Sequence, residues 1–159
     1  MYKIRRATLE DIEEIAAIIA DNFDRAMPEH SLPVREFCKQ HSSADRLRQE
    51  FSWREMYVAG NIAGHLGSTG SLVDFGRQGH PRICLSNFFV RPELHGKGLG
   101  RQLLHFLVDT ARQRKLRQLQ VPSSRTGLEF YRHFGFTVDA VQPPEDVALE
   151  ITWMTKVLS

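Results

Sequence analysis

Between Phe88 and Val108 the chain reads FFVRPELHGKGLGRQLLHFLV, with glycines at 96, 98 and 100, Lys97 between two of them and Arg101 directly after. An apolar run precedes the glycines and an amphipathic one follows, which is the pattern of a strand, a tight connection and a helix start. A helix start carries N–H groups without acceptors and a partial positive charge, and glycines let an anion approach that backbone closely. Lys97 and Arg101 add charge of the matching sign. The chemistry this stretch suits is the holding of a phosphate or diphosphate. Two named nucleotide motifs fail on spacing. A P-loop needs Ser or Thr after Gly-Lys, where Gly98 stands, and a dinucleotide fingerprint needs a glycine at the place of Arg101. A tight turn with positive φ explains any one of the glycines, but less well three in alternation at the start of a helix.

The elements around this junction follow from periodicity. Residues 2–6 suit a strand. Thr8 suits an N-cap, and Leu9, Ile12, Ile15, Ala16, Ile19 and Phe23 recur at helical spacing. Residues 25–33 read as a loop, and 34–51 as a second helix with a weak apolar stripe. Residues 56–59 and 62–66 bracket Gly60-Asn61 as a tight hairpin whose second strand runs to Val73. A connecting loop over residues 74–81 leads to an apolar strand, 82–90. After the glycines comes a helix with Leu99, Leu103, Leu104, Leu107, Val108 and Ala111 on one face, then a strand at 116–121 and a short helix at 128–134 that Gly135 can end. Two last strands, 136–141 and 147–157, are joined by QPPED. No internal repeat or linker interrupts the series.

The totals set limits. At 159 residues with 42% hydrophobic composition, the chain is long enough for one cored domain, 1–159. A net charge of +2 does not call for nucleic acid, and the Arg112, Arg114, Lys115, Arg117 cluster reads as a solvated face at a helix end. Cys38 and Cys84 lack metal-ligand spacing, and no metal is expected; Cys84 reads as a small buried hydrophobe. The charged N-terminus and the absence of a membrane-length apolar stretch favour a cytoplasmic protein that does not engage membranes. Trp53 and Trp153 read as packing residues, and His105 with Asp109 as a surface pair.

The stretch VRPELHGKGLGRQLL resembles the acetyl-CoA-binding motif of the GNAT N-acetyltransferases, with His95, Gly98 and Gly100 at its three defining positions. A second stretch, GLEFYRHFGF, resembles that family's later tyrosine segment, and the element order matches its fold along nearly the whole chain. The resemblance implies a single-domain α/β GNAT fold with a mixed, mostly antiparallel sheet flanked by helices, and acetyl-CoA as co-substrate. It implies that backbone groups of Phe88 and Val90 carry the pantetheine arm. The pyrophosphate would lie on the amides of His95, Gly96, Lys97, Gly98, Leu99, Gly100 and Arg101, and Ser124 would bond the arm.

Acetyl transfer to an amine needs a neutral nucleophile, although an alkyl ammonium has a pKa of about 10. It also needs a donor for the developing oxyanion and a proton for the leaving thiolate. Tyr131, taken alone, reads as a core aromatic; the resemblance makes it the general acid. The resemblance likewise implies an oxyanion donor among the backbone N–H groups of the strand ending at Val90. Relatives often carry a carboxylate on that strand, where this chain has Ser86 and Asn87, and neither is an effective base. A water chain, Glu29, His30 or Asp74 remain for that role, His30 being the group whose ordinary titration lies nearest neutrality. The acceptor pocket is expected between residues 24–31 and QPPEDV, where Asp24, Glu29, Glu145 and Asp146 suit a cationic amine, small or on a protein. A homodimer is compatible with this reading. Two other classes stay open: a non-catalytic acyl-CoA-binding regulatory module, and a basic interaction protein working through the Arg112–Arg117 cluster.

Overall fold

The computed structural model describes residues 1–76 and 78–158; Arg77, in the loop expected over residues 74–81, lies outside them. Strand β1 (Lys3–Arg6) leads through a 3-10 turn into helix α1 (Ile12–Arg25). Asp11 secures this entry by accepting the Thr8 N–H at 2.8 Å and two bonds from the Arg5 guanidinium at 2.8 and 2.9 Å. The apolar face of α1 then buries Ile12, Ile15, Ile18, Ile19 and Phe23, each worth about 2 kcal/mol of transfer free energy.

The long second helix expected over residues 34–51 is two helices, α2 (Leu32–Gln40) and α3 (Ala44–Glu50). Each has its own serine cap. Ser31 Oγ accepts from the Val34 N–H, and Ser43 Oγ from the Arg46 N–H, so the break at His41–Ser43 is written in the capping residues rather than in the apolar stripe. Trp53, read as a packing residue, is 53% exposed with the Arg54 guanidinium against its ring.

Strands β2 (Glu55–Gly60) and β3 (Leu66–Asp74) form an antiparallel pair. Their connection is longer than the expected two-residue turn. The Asn61 carboxamide oxygen accepts from the Ala63 and His65 N–H groups at 3.0 Å, winding residues 61–65 into a loop that leaves Ile62 in solvent. β4 (Ile83–Val90), α4 (Leu99–Gln113), β5 (Gln118–Ser123), α5 (Leu128–His133) and β6 (Thr137–Val138) follow. The last three residues of the QPPED connection begin a helix, α6 (Pro144–Ala148), and the last strand, β7 (Thr152–Val157), begins later than expected. Pro144 in the first turn, with Glu145 and Asp146 beside it, is a helix-start combination.

Among the described residues, the sheet order is β1-β2-β3-β4-β5-β7-β6, antiparallel except for β4 with β5. Helices α1 and α3 cover one core, and α4 and α5 the other. β3 is buried along nearly its whole length, and a Cβ at Gly67 would lie 2.6 Å from Leu99 and 2.7 Å from Tyr2. The missing side chain there lets the start of α4 settle directly onto the sheet.

Two irregularities open the sheet at its centre. The β3–β4 register shifts between Thr69 and Ser71, so Gly70 faces the extra residue of a bulge, and Asn87 in that bulge has φ 50°. β4 and β5 then pair at a single position, Cys84 with Gln120. Beyond it, Pro122 has no N–H to offer a neighbour, and the strands line opposite sides of a cavity.

Candidate active site

The cavity has a volume of about 680 Å³ and is walled by β4 and β5, the ends of α1 and α2, the start of α4, α5 and the turn before β7. At one end lies the glycine junction. Gly96 and Gly98 have φ 78° and 88°, and a Cβ built on either meets no atom within 4 Å. Among the described residues, the backbone N–H groups of Gly96, Lys97, Gly98, Leu99, Gly100 and Arg101 have no acceptor, while the His95 N–H is taken by the Pro92 carbonyl at 3.2 Å. Six free amides at the positive end of a fifteen-residue helix can hold an anion that presents several oxygens. Arg101 stands on the cavity wall, and Lys97 is exposed beside it.

The His95 side chain turns inward. Its Nε2 donates to the Val90 carbonyl at 2.8 Å, and Asn22 Nδ2 donates to the same oxygen at 2.8 Å. Both lone pairs of that carbonyl are therefore engaged. The next N–H, of Arg91, points to β3 and bonds the Gly67 carbonyl, so alternation turns the Val90 N–H away from β3 and toward the cavity. Phe88 and Val90 both line the cavity, and the Phe88 ring packs against those of Phe130 and Tyr131.

Tyr131 is 6% exposed and lies on the cavity wall. Burial pushes its hydroxyl well above the usual phenol range, so it holds its proton at neutral pH. Among the described residues no hydrogen bond engages that hydroxyl. Ser124 shapes the turn before α5, its Oγ accepting the Gly127 N–H at 3.2 Å, and it also borders the cavity. Cys84 is fully buried, and desolvation raises its thiol to about 11, which keeps it protonated and inert.

The other end differs from the sequence expectation. Asp24 is paired with Lys39 at 2.7 Å, and neither Glu145 nor Asp146 lines the cavity. The Asp146 carboxylate instead accepts the indole N–H of Trp153 at 2.8 Å, fixing α6 to β7. Asp74 is also away from the cavity; it accepts the Gly76 and Arg82 N–H groups and closes its own loop. Of the proposed bases, His30 is on the wall, 5% exposed, with Nδ1 donating to Glu150 at 3.1 Å. Ser86 is occupied by the Arg54 guanidinium, itself paired with buried Glu50.

Sequence reasoning missed two residues here. Asn22 carried a signal, as the one polar side chain among buried residues on the α1 stripe. Glu150 carried none, because it sat inside a segment read as strand.

The family model described as "Acetyltransferase (GNAT) domain" matches residues 16–158. The chain belongs to this GNAT acetyltransferase family. The GNAT fold is equally plain in solved structures. The PaiA N-acetyltransferase of Thermoplasma acidophilum, in complex with coenzyme A, superposes with a TM-score of 0.79 at 17% identity over 99% of each chain. A GNAT-family acetyltransferase of Staphylococcus aureus Mu50 gives 0.73 at 14% identity over both full chains. N-acetylglutamate synthase of Neisseria gonorrhoeae, complexed with coenzyme A and N-acetyl-glutamate, gives 0.68 at 22% identity, with all of this chain covering 35% of that one. No curated protein sequence matches this GNAT chain. No helix among the described residues is long and apolar enough to cross a membrane.

Proposed function

We propose that this GNAT protein transfers an acetyl group from acetyl-CoA to a primary amine, in a complex that holds both substrates at once. The observation that carries the reading is the run of six unpaired amides from Gly96 to Arg101 at the start of α4. With open space over Gly98 and Arg101 alongside, it suits a diphosphate. Acetyl-CoA supplies an activated thioester acetyl group. The residues of the chain bind and orient it: the amides of 96–101 take the diphosphate, His95 braces the Val90 carbonyl, and the N–H groups of Phe88 and Val90 with the Ser124 hydroxyl are the partners offered to the arm.

The split between β4 and β5 leads from the glycine junction toward Tyr131. Its hydroxyl holds its proton at neutral pH and is not engaged by another group, so it is available to donate to a leaving thiolate. The complex GNAT structures of similar fold contain coenzyme A, which supports the same co-substrate here. The two free cysteines favour a reducing, cytoplasmic setting. A non-catalytic acyl-CoA-binding module would share the glycine junction, but would have no use for a protonated tyrosine facing the cavity.

Titration calorimetry tests the carrying observation. Gly98→Val forces a branched side chain into φ 88° and into the open space above the amides. Acetyl-CoA should bind the parent and bind folded Gly98→Val at least roughly 10-fold more weakly, a scale typical of lost charge-assisted bonds. Equal affinities would overturn the diphosphate assignment.

A further inference from the structure

The acceptor end of the cavity contains a side-chain arrangement that the bound thioester does not need. Among the described residues, Glu150 is the only carboxylate on the cavity wall. It lies in the turn between α6 and β7 at φ 62°, a conformation that non-glycine residues rarely hold. Its Oε1 accepts from His30 Nδ1 at 3.1 Å and from the Ser31 N–H at 3.1 Å, while its Oε2 has no recorded partner. Those two bonds hold the Glu150 carboxyl below the usual carboxylate range, so it is charged at neutral pH.

The His30 side chain is 4% exposed, and its Nε2 is buried without a hydrogen-bond partner. A buried nitrogen left unpaired is costly, and such groups in native structures point to an occupant or a function. Glu29 stands 3.9 Å from that nitrogen and is itself hydrogen-bonded to the Thr126 hydroxyl. The loop after α1 therefore meets the turn before β7 through His30 and Ser31 on Glu150, and the turn before α5 through Glu29 on Thr126. The wall beside it is apolar, with Met27, Phe37, Leu149 and Ile151.

We infer that Glu150 captures the acceptor as its ammonium through its free oxygen, that His30 is its positioning residue, and that the acceptor is a primary ammonium on an apolar body, which gives up one proton to solvent before the neutral amine attacks the thioester. With apolar side chains beside it and the Arg125 charge nearby, the Glu150 carboxylate discriminates by charge: a cation gains a charge-assisted bond, a neutral isostere gains only burial, and a carboxylate meets repulsion. The inference rests on the acetyl-transfer reading for the identity of the ligand as acceptor, and not for the binding itself.

Calorimetry with phenethylammonium and its neutral isostere phenethyl alcohol tests it on the free protein. The parent should bind the ammonium about 10-fold or more tightly than the alcohol. Glu150→Gln should abolish the preference and leave alcohol affinity unchanged. His30→Leu should weaken ammonium binding, and His30→Asn, whose amide can still donate to Glu150, should restore most of it. Equal affinity of the parent for the two ligands would overturn the assignment, and this comparison needs no variant to fold. A Glu150→Gln variant that keeps the preference would overturn it as well. Acetyl-CoA titration separates the two readings. Acetyl-CoA binding without ammonium preference refutes the anchor alone. Ammonium preference that depends on Glu150, in a protein that ignores acetyl-CoA, supports the anchor and removes acetyl transfer.

Discussion

Asn22 in the last turns of α1 donates its side-chain amide to the Val90 carbonyl at 2.8 Å, and so fixes the end of β4 from 68 positions away in the chain. The same nitrogen also donates to the Ile18 carbonyl at 2.9 Å. With His95 on the other lone pair, the last carbonyl of β4 is clamped before the chain turns into the glycine junction. The clamp sets the direction in which the free amides of α4 face.

Asn22→Leu keeps the volume and removes the donor. His95 still satisfies the Val90 carbonyl in part, so the stability loss should be about 1 kcal/mol. Acetyl-CoA affinity should fall severalfold, because the junction loses one of its two fixed points. Denaturant unfolding and calorimetry on the same variant check both. An unchanged affinity would mean that Asn22 serves α1 packing alone.

Tyr131→Phe removes the hydroxyl and keeps the ring that packs on Phe88, Phe130 and Phe136. If that hydroxyl protonates the leaving thiolate, kcat should fall by roughly 10²-fold, the usual scale for losing a general acid. Acetyl-CoA affinity and the melting temperature should change little. Parent-like turnover would assign Tyr131 to packing.

The parts of the cavity differ in how far the chain itself announces them. The glycine junction was legible because its constraint is local: two positive φ angles and a helix start lie within a few residues. Tyr131 was legible through the short motif around it, and β1, α1, α4 and α5 through clean periodicity. The acceptor end was not. His30 and Glu150 meet from 120 positions apart, and no local pattern encodes that meeting. The acidic pair Glu145 and Asp146 misled because a run of Pro and acidic residues reads as a turn, where Pro144 starts a helix and Asp146 caps Trp153. The break between α2 and α3 was hidden for the opposite reason. The charged face runs through it, and only Ser43 marks it.

Acid should weaken the N-terminal entry. Arg5 is the main reason that the Asp11 carboxyl titrates below its ordinary value of 3.8, with the Thr8 N–H adding to it. A lowered folded value means that the stabilisation is fully present above the ordinary value and is lost as pH falls through the folded one. Asp11→Asn should therefore cost about 1 kcal/mol near pH 7 and progressively less once the pH is taken below the ordinary value of 3.8. Arg5 is half exposed, so high salt should reduce the difference. Melting curves at neutral pH and below that ordinary value decide the matter, and an equal cost at both would assign the effect to shape rather than charge.

Acetyl transfer itself is tested most directly by thiol release from acetyl-CoA in the presence of a panel of primary amines, with the products weighed by mass spectrometry. The account predicts thiol release that requires an amine, an acetylated amine in equal amount, and the fastest turnover for amines with an apolar body next to the Glu150 end of the cavity. Tight binding of acetyl-CoA with no acetylated product from any amine, small or on a protein, would contradict it and leave an acyl-CoA-binding module in its place.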